Sequence, residues 1–126
     1  MNPIVLLVAR LFMGVIFIVG GYGKLVGAEG FAGYLGSLGS PAPVAMAYLT
    51  GAFELVAGAL VLVGFQTMGA ALALAAFCIA TAFVGHWGDW SGFMKNFALA
   101  GGYVFLAAYG PGAYALERKR HVSRYA

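Results

Sequence analysis

Residues 43–64 read PVAMAYLTGAFELVAGALVLVG, an apolar run broken by one acid, Glu54, near its middle. About 20 such residues cross the hydrocarbon core of a bilayer as a helix, so this stretch decides the fold class. A carboxylate at that depth costs roughly 3 kcal/mol or more unless it is paired, protonated or facing a wet cavity. Glu54 therefore has a partner elsewhere in the chain, or it lies beside a ligand or proton path.

The rest of the chain has the same character. Of 126 residues, 63% are hydrophobic and 9% charged, against about a quarter charged in soluble domains. The sequence predicts an all-α polytopic membrane protein, a single domain over residues 1–126 with four transmembrane helices in an antiparallel bundle. Their expected spans are 4–22, 44–63, 68–85 and 96–114, followed by a basic tail, 117–126. Pro3 suits the first turn of the first helix. That helix is expected to be retained, because no positive n-region precedes it and no A-x-A site follows it. The glycines at 20, 21 and 23 mark its exit into a loop, Lys24 to Pro43. Within this loop Phe31, Tyr34, Leu35 and Leu38 fall on one face of a short interfacial helix. The short turn at 64–67 forces a hairpin between the second and third helices. His86 to Asn96 reads as a polar loop whose two tryptophans, Trp87 and Trp90, form an interfacial belt.

Four of the seven Lys/Arg residues lie in the tail. Positive charge marks the cytoplasmic side, so both termini are expected there, with Lys24, His86, Asp89 and Lys95 toward the outer face. The tail reads first as this topology signal, and no nucleic-acid partner is expected. The lone cysteine, Cys78, excludes an internal disulfide, a Cys-x-x-Cys pair and a cysteine-based metal site. In its apolar setting the thiol is expected to be inert. His86 is the only histidine near a helix, which leaves no bis-histidine haem site without the tail's His121.

Gly51, Glu54 and Gly58 share one face of the second helix, and Arg10, Gly14, Phe17 and Gly21 form a matching stripe on the first. Counting from the expected helix ends at residues 4 and 64, Arg10 and Glu54 differ in level by roughly 6 Å. An arginine side chain spans that gap, so an Arg10–Glu54 pair is the leading structural expectation.

The pattern Arg10-Leu11, Gly20-Gly21-x-Gly23-Lys24-Leu25, Gly33-Tyr34-Leu35, Gly51-x-x-Glu54-Leu55-x-x-Gly58, Lys95-Asn96 and Gly110-Pro111-Gly112 resembles the DoxX family of small four-helix bacterial membrane proteins, over nearly the whole chain. The resemblance implies a multi-pass protein of the bacterial inner membrane. Some relatives are subunits of thiosulfate:quinone oxidoreductase, and others are linked to redox-stress or quinone-detoxification complexes. On that footing Glu54 and Arg10 are candidates for binding the oxygens of a quinone, with the acid handling a proton. A buried pair that fixes helix register is the competing reading. Lys24, His86, Asp89 and Lys95 are candidates for the mouth of such a site, or ordinary interfacial groups. Asn96 and Tyr103, seven residues apart on the last helix, are candidates to hydrogen-bond inside it, although Tyr103 reads equally well as a packed interior tyrosine.

Two functions follow. One is a redox-associated, quinone-linked subunit, itself catalytic or not, that works with a redox partner protein and carries no covalent cofactor or metal. The other is a non-enzymatic lipid- or metabolite-binding protein, or a scaffold for a partner. The small-residue faces permit a homo-oligomer in the bilayer, but four helices also satisfy them internally.

Overall fold

A computed structural model describes residues 2–117. The basic cluster from Arg118 onward, on which the tail expectation rests, lies outside the described residues. Five helices follow in order: α1 (Pro3–Val26), α2 (Ala28–Ser37), α3 (Pro43–Val63), α4 (Thr67–Gly85) and α5 (Trp90–Tyr109). Among the described residues there is no strand. α1, α3 and α4 are long and apolar enough to cross a membrane, whereas α5, with Lys95 and Asn96 in its second turn, falls outside that set.

Local chemistry explains most boundaries. Asn2 caps α1, its side chain accepting from the Ile4 amide at 2.8 Å, and Pro3 occupies the first turn. α1 continues to Val26, four residues past the expected end at Tyr22. The glycines at 20, 21 and 23 do not end the helix, and Gly21 packs on α3 as its place in the stripe with Gly14 and Phe17 implies: a Cβ there would lie 2.6 Å from the Gly51 carbonyl oxygen. The expected loop from Lys24 to Pro43 is likewise corrected, since most of it is helical in α1 and α2. α5 starts at Trp90, not Asn96, because Asp89 supplies an N-cap by accepting from the Gly92 amide at 3.3 Å. It stops at Tyr109 instead of 114, where Gly110 adopts a positive φ and Pro111 follows.

α1 and α3 form the tightest pair, and α4 packs extensively on α5. In the antiparallel α1–α3 interface Gly14 faces Gly58 and Gly21 faces Gly51. An added Cβ at Gly14 would meet the Gly58 oxygen at 2.8 Å, and one at Gly58 the Gly14 oxygen at 2.9 Å. Small residues thus bring the two backbones together. Between the helix pairs lies a core that includes Phe17, Val61, Leu74, Cys78, Tyr103 and Leu106. The Tyr103 hydroxyl donates to the Met13 carbonyl at 2.6 Å and ties α5 to α1. α2 sits on α3 through Ala28, Ala32 and Ala47. The outside is a surface of Phe12, Val19, Leu49, Val56, Val104 and Phe105, all exposed, as a lipid-facing bundle requires.

The expected Arg10–Glu54 pair does not form. The glycine contacts place Arg10 level with Leu62, eight residues from Glu54, which is roughly 12 Å along the axis and twice the anticipated gap. Helix side chains also lean toward their own N-terminus. Arg10 therefore points away from Glu54, to the end of the bundle where α3 stops. There its guanidinium donates to the carbonyls of Leu62 (3.0 Å), Val61 (3.5 Å) and Tyr114.

This arrangement completes the hydrogen bonding of the α3 C-terminus, whose last carbonyls lack helical partners. Leu60 accepts from the amides of Gly64 and Phe65, Val63 from Leu116, and Gly64 from Glu117. Gly64 itself has a φ of +74° and lies against Arg10 and Ala115, so both backbone conformation and space demand glycine. The Glu117 carboxylate accepts from the Thr67 amide at 2.9 Å and so caps α4.

Candidate functional site

At the opposite end of the bundle, where α1 and α4 end beside α2, and α3 and α5 begin, the helices line a cavity of about 540 Å³. Its polar centre is an ion pair. Lys24 Nζ lies 3.0 Å from Glu54 Oε2 and donates a hydrogen bond to Oε1 at 3.2 Å. Among the described residues Oε2 receives no hydrogen bond. Glu54 is only 2% exposed, so the pair stands in apolar surroundings, with Lys24 the one ion partner of the acid among the described residues.

Helix direction explains why Lys24 reaches this acid. Its side chain leans toward the α1 N-terminus, into the bundle, while Glu54 leans toward the α3 N-terminus and meets it. Gly20, one turn before Lys24, leaves the room required: a Cβ there would lie 3.0 Å from Glu54 Oε1. Lys24 Nζ also stands 5.1 Å from the centre of the Phe31 ring, a cation–π contact.

Four of the sequence candidates, Lys24, Glu54, His86 and Asn96, are brought together on the cavity wall. Asn96 Nδ2 donates to the Cys78 carbonyl at 3.1 Å and to Thr81 Oγ1 at 2.9 Å, which fixes the orientation of its amide. The other four candidates lie elsewhere. Arg10 is at the far end. Tyr103 is fully buried with its hydroxyl on Met13 and is absent from the wall. Lys95 and Asp89 are exposed and are not part of the cavity wall.

Sequence reasoning missed Gly20, Phe31, Tyr34, Thr50 and Thr81, all on the wall. The signal for two of them was present. Phe31, Tyr34, Leu35 and Leu38 were recognised as one face of a short helix, and that face lines the cavity. Thr50 stands one turn before Glu54 on the same side of α3. The Tyr34 hydroxyl donates to the Gly85 carbonyl at 3.2 Å and fastens α2 to the end of α4.

Asp89 belongs to the helix end. Its carboxyl is held below the usual aspartate range, first by the Gly92 amide and then by His86, whose Nδ1 lies 3.3 Å away. A depressed folded value means that the stabilisation is present above the ordinary aspartate pKa and is lost as pH falls through the lower folded value. Acidification through that window, or Asp89→Ala at neutral pH, is expected to reduce amide-exchange protection over residues 90–93 relative to intrinsic rates. Unchanged protection would mean that the cap contributes nothing to α5.

The set can hold a flat molecule with polar oxygens. Lys24 offers a cationic donor, Glu54 an acceptor, and Phe31, Tyr34 and Phe77 aromatic walls. Among the described residues no group of three or more His, Cys, Asp and Glu side chains could hold a metal ion.

Comparison with known proteins adds a lineage to this geometry. The DoxX family model matches residues 5–87. The chain is 37% identical over 128 residues to the Escherichia coli inner membrane protein YphA, covering 94% of this chain and 91% of that protein. It is 39% identical over 117 residues to the E. coli inner membrane protein YqjF, covering 89% and 88%. A shorter match, 43% over 61 residues and 48% and 44% of the two chains, is to a Bacillus subtilis protein named "Putative oxidoreductase CatD". No solved structure matches the chain.

Proposed function

Because the chain belongs to the DoxX family and is an integral inner-membrane protein, we propose that its cavity binds a quinone or quinone-like molecule as part of a redox-associated complex. The observation that carries this reading is the buried Lys24–Glu54 pair facing a space of about 540 Å³ with aromatic walls. Buried ionisable groups in a membrane are expensive and mark ligand or proton sites by default. Ligand sites are typically apolar hollows with a few placed polar groups.

The residues fit a quinone. Lys24 donates to a carbonyl oxygen, and Glu54 accepts from the hydroxyl of a reduced ring. Phe31, Tyr34 and Phe77 bound a flat ring. A bound quinone would supply the electron-accepting chemistry, while the chain binds, orients and handles a proton at the Glu54 carboxylate. A partner protein would exchange the electrons. The redox part of the proposal is supported by the name of the B. subtilis relative, "Putative oxidoreductase CatD".

The topology is part of the same proposal. α5, 20 residues long and packed along α4, would serve as the fourth span of one domain. The four Lys/Arg residues of the tail would hold both termini in the cytoplasm. The cavity would then open toward the outer leaflet. The glycine faces of α1 and α3 are spent on each other, so any homo-oligomer would use another surface.

Native mass spectrometry with solvent extraction of gently purified protein tests the reading, wild type beside Glu54→Gln. The expected result is a stoichiometric quinone on wild type that is lost from a folded variant. An empty wild type, or one carrying only phospholipid in both forms, would overturn the quinone assignment and favour the lipid-binding alternative.

A further inference from the structure

Glu54 lies deep in the cavity, and one side of the cavity's edge is apolar. Leu38 at the C-cap of α2, Met46 of α3, and Ala80 and Val84 of α4 all line the cavity and are also open at the surface. Leu38 is 42%, Met46 40% and Val84 62% exposed. The reason lies in the packing. α3 and α4 are joined at their far end by a turn of three residues, yet they touch each other far less than α1 touches α3. Near the hairpin they are bridged by core residues such as Val61 and Leu74. At the cavity end α2 lies between them, with Tyr34 tied to Gly85.

We propose that the cavity is filled sideways from the membrane, through an opening where α2, α3 and α4 come together. Its occupant is a membrane-dissolved amphipathic molecule, with a polar head on Lys24–Glu54 and an apolar chain that leaves across Met46 and Val84. This inference rests on the head-group reading given above and adds the class of ligand to it. A small water-soluble molecule gains nothing from a rim of Leu38, Met46 and Val84, because such surfaces have no hydrogen bonds to offer. A chain of methylenes is stabilised by covering them, and it avoids the cost of leaving the bilayer.

The test uses the full-length protein in phospholipid nanodiscs and two probes with the same ring. One is tetramethyl-1,4-benzoquinone, which is fully substituted and so spares the Cys78 thiol. The other is the trimethyl ring carrying a decyl chain. Binding is measured for wild type, Met46→Trp, Val84→Trp and a control, Val19→Trp, whose site is exposed on α1 away from the cavity wall. A fixed lipid-to-protein ratio makes the partitioning of each probe the same for all four proteins, and the two probes are compared by affinity per mole fraction in the lipid, which removes their different partitioning from water. Wild type is expected to prefer the tailed probe. Each rim variant is expected to weaken the tailed probe about tenfold or more, as the loss of a few buried methylenes implies, with the tailless probe and the control unchanged. Equal binding of both probes to wild type, or rim variants that leave the tailed probe untouched or weaken both probes alike, would overturn lateral entry and leave the head-group site standing. Binding of neither probe to wild type would overturn both readings.

Discussion

Replacing Lys24 by Met is expected to destabilise the bundle by about 3–5 kcal/mol, the usual cost of stripping one partner from a buried ion pair. Glu54 is almost fully buried, whereas 26% of the Lys24 side chain is exposed, so the two ends of the pair are not equivalent. Without Lys24 the buried carboxylate loses the one ion-pair partner it has among the described residues. Without the acid, as in Glu54→Gln, Lys24 can swing out at the helix end and hydrate its ammonium. That variant is expected to cost about 1 kcal/mol, the net worth of an ordinary hydrogen bond. The double variant Lys24→Met/Glu54→Leu is expected to recover most of the loss of Lys24→Met, since apolar replacements of a buried pair are often tolerated. Unfolding in mixed micelles, followed by far-UV circular dichroism, gives the stabilities of the wild type and the three variants. A Lys24→Met protein as stable as wild type would show that the pair is not a structural tie, and equal losses from the two single variants would contradict the asymmetry.

Arg10→Met is the second large effect. It removes the donors to the Val61, Leu62 and Tyr114 carbonyls, and a buried acceptor left unpaired costs about 1–3 kcal/mol. Arg10 is completely buried, so water does not readily replace it. The expected destabilisation is about 3 kcal/mol, with Arg10→Lys recovering only part because an ammonium lacks the guanidinium's fork. The effect should also be local. The amides of Leu116 and Glu117, bonded to Val63 and Gly64, are expected to lose exchange protection before the α1–α3 interface opens. Ligand binding at the other end, measured on the folded fraction, is expected to be unchanged. A variant that keeps those amides protected, or that loses the ligand while stable, would return Arg10 to the binding site.

These two residues show what kind of information a sequence holds. The apolar runs, the single cysteine and the basic tail were enough for an all-helical membrane protein. The stripe of Gly14, Phe17 and Gly21 and the stripe of Gly51, Glu54 and Gly58 correctly identified the faces on which α1 and α3 meet. Helical periodicity yields such faces because it is an angular property, visible in one chain segment at a time. The motifs carrying the DoxX resemblance were legible for the same reason, and half of the candidate site residues lie on the cavity wall.

Axial register is different. A stripe of small residues shows which side of a helix packs, and nothing within either helix fixes how far one slides along the other. Only the complete set of contacts places Gly14 on Gly58 and Gly21 on Gly51. That choice carries Arg10 to the α3 C-terminus and leaves Glu54 to Lys24. The glycines after Ile18 pose the same problem, since a glycine that lets two backbones touch and one that ends a helix are the same letter. Composition and periodicity by themselves determined the fold class, the membrane and the packing faces. Tertiary structure alone decided which charge meets which, because that depends on how far each helix slides along its neighbour before the backbones lock.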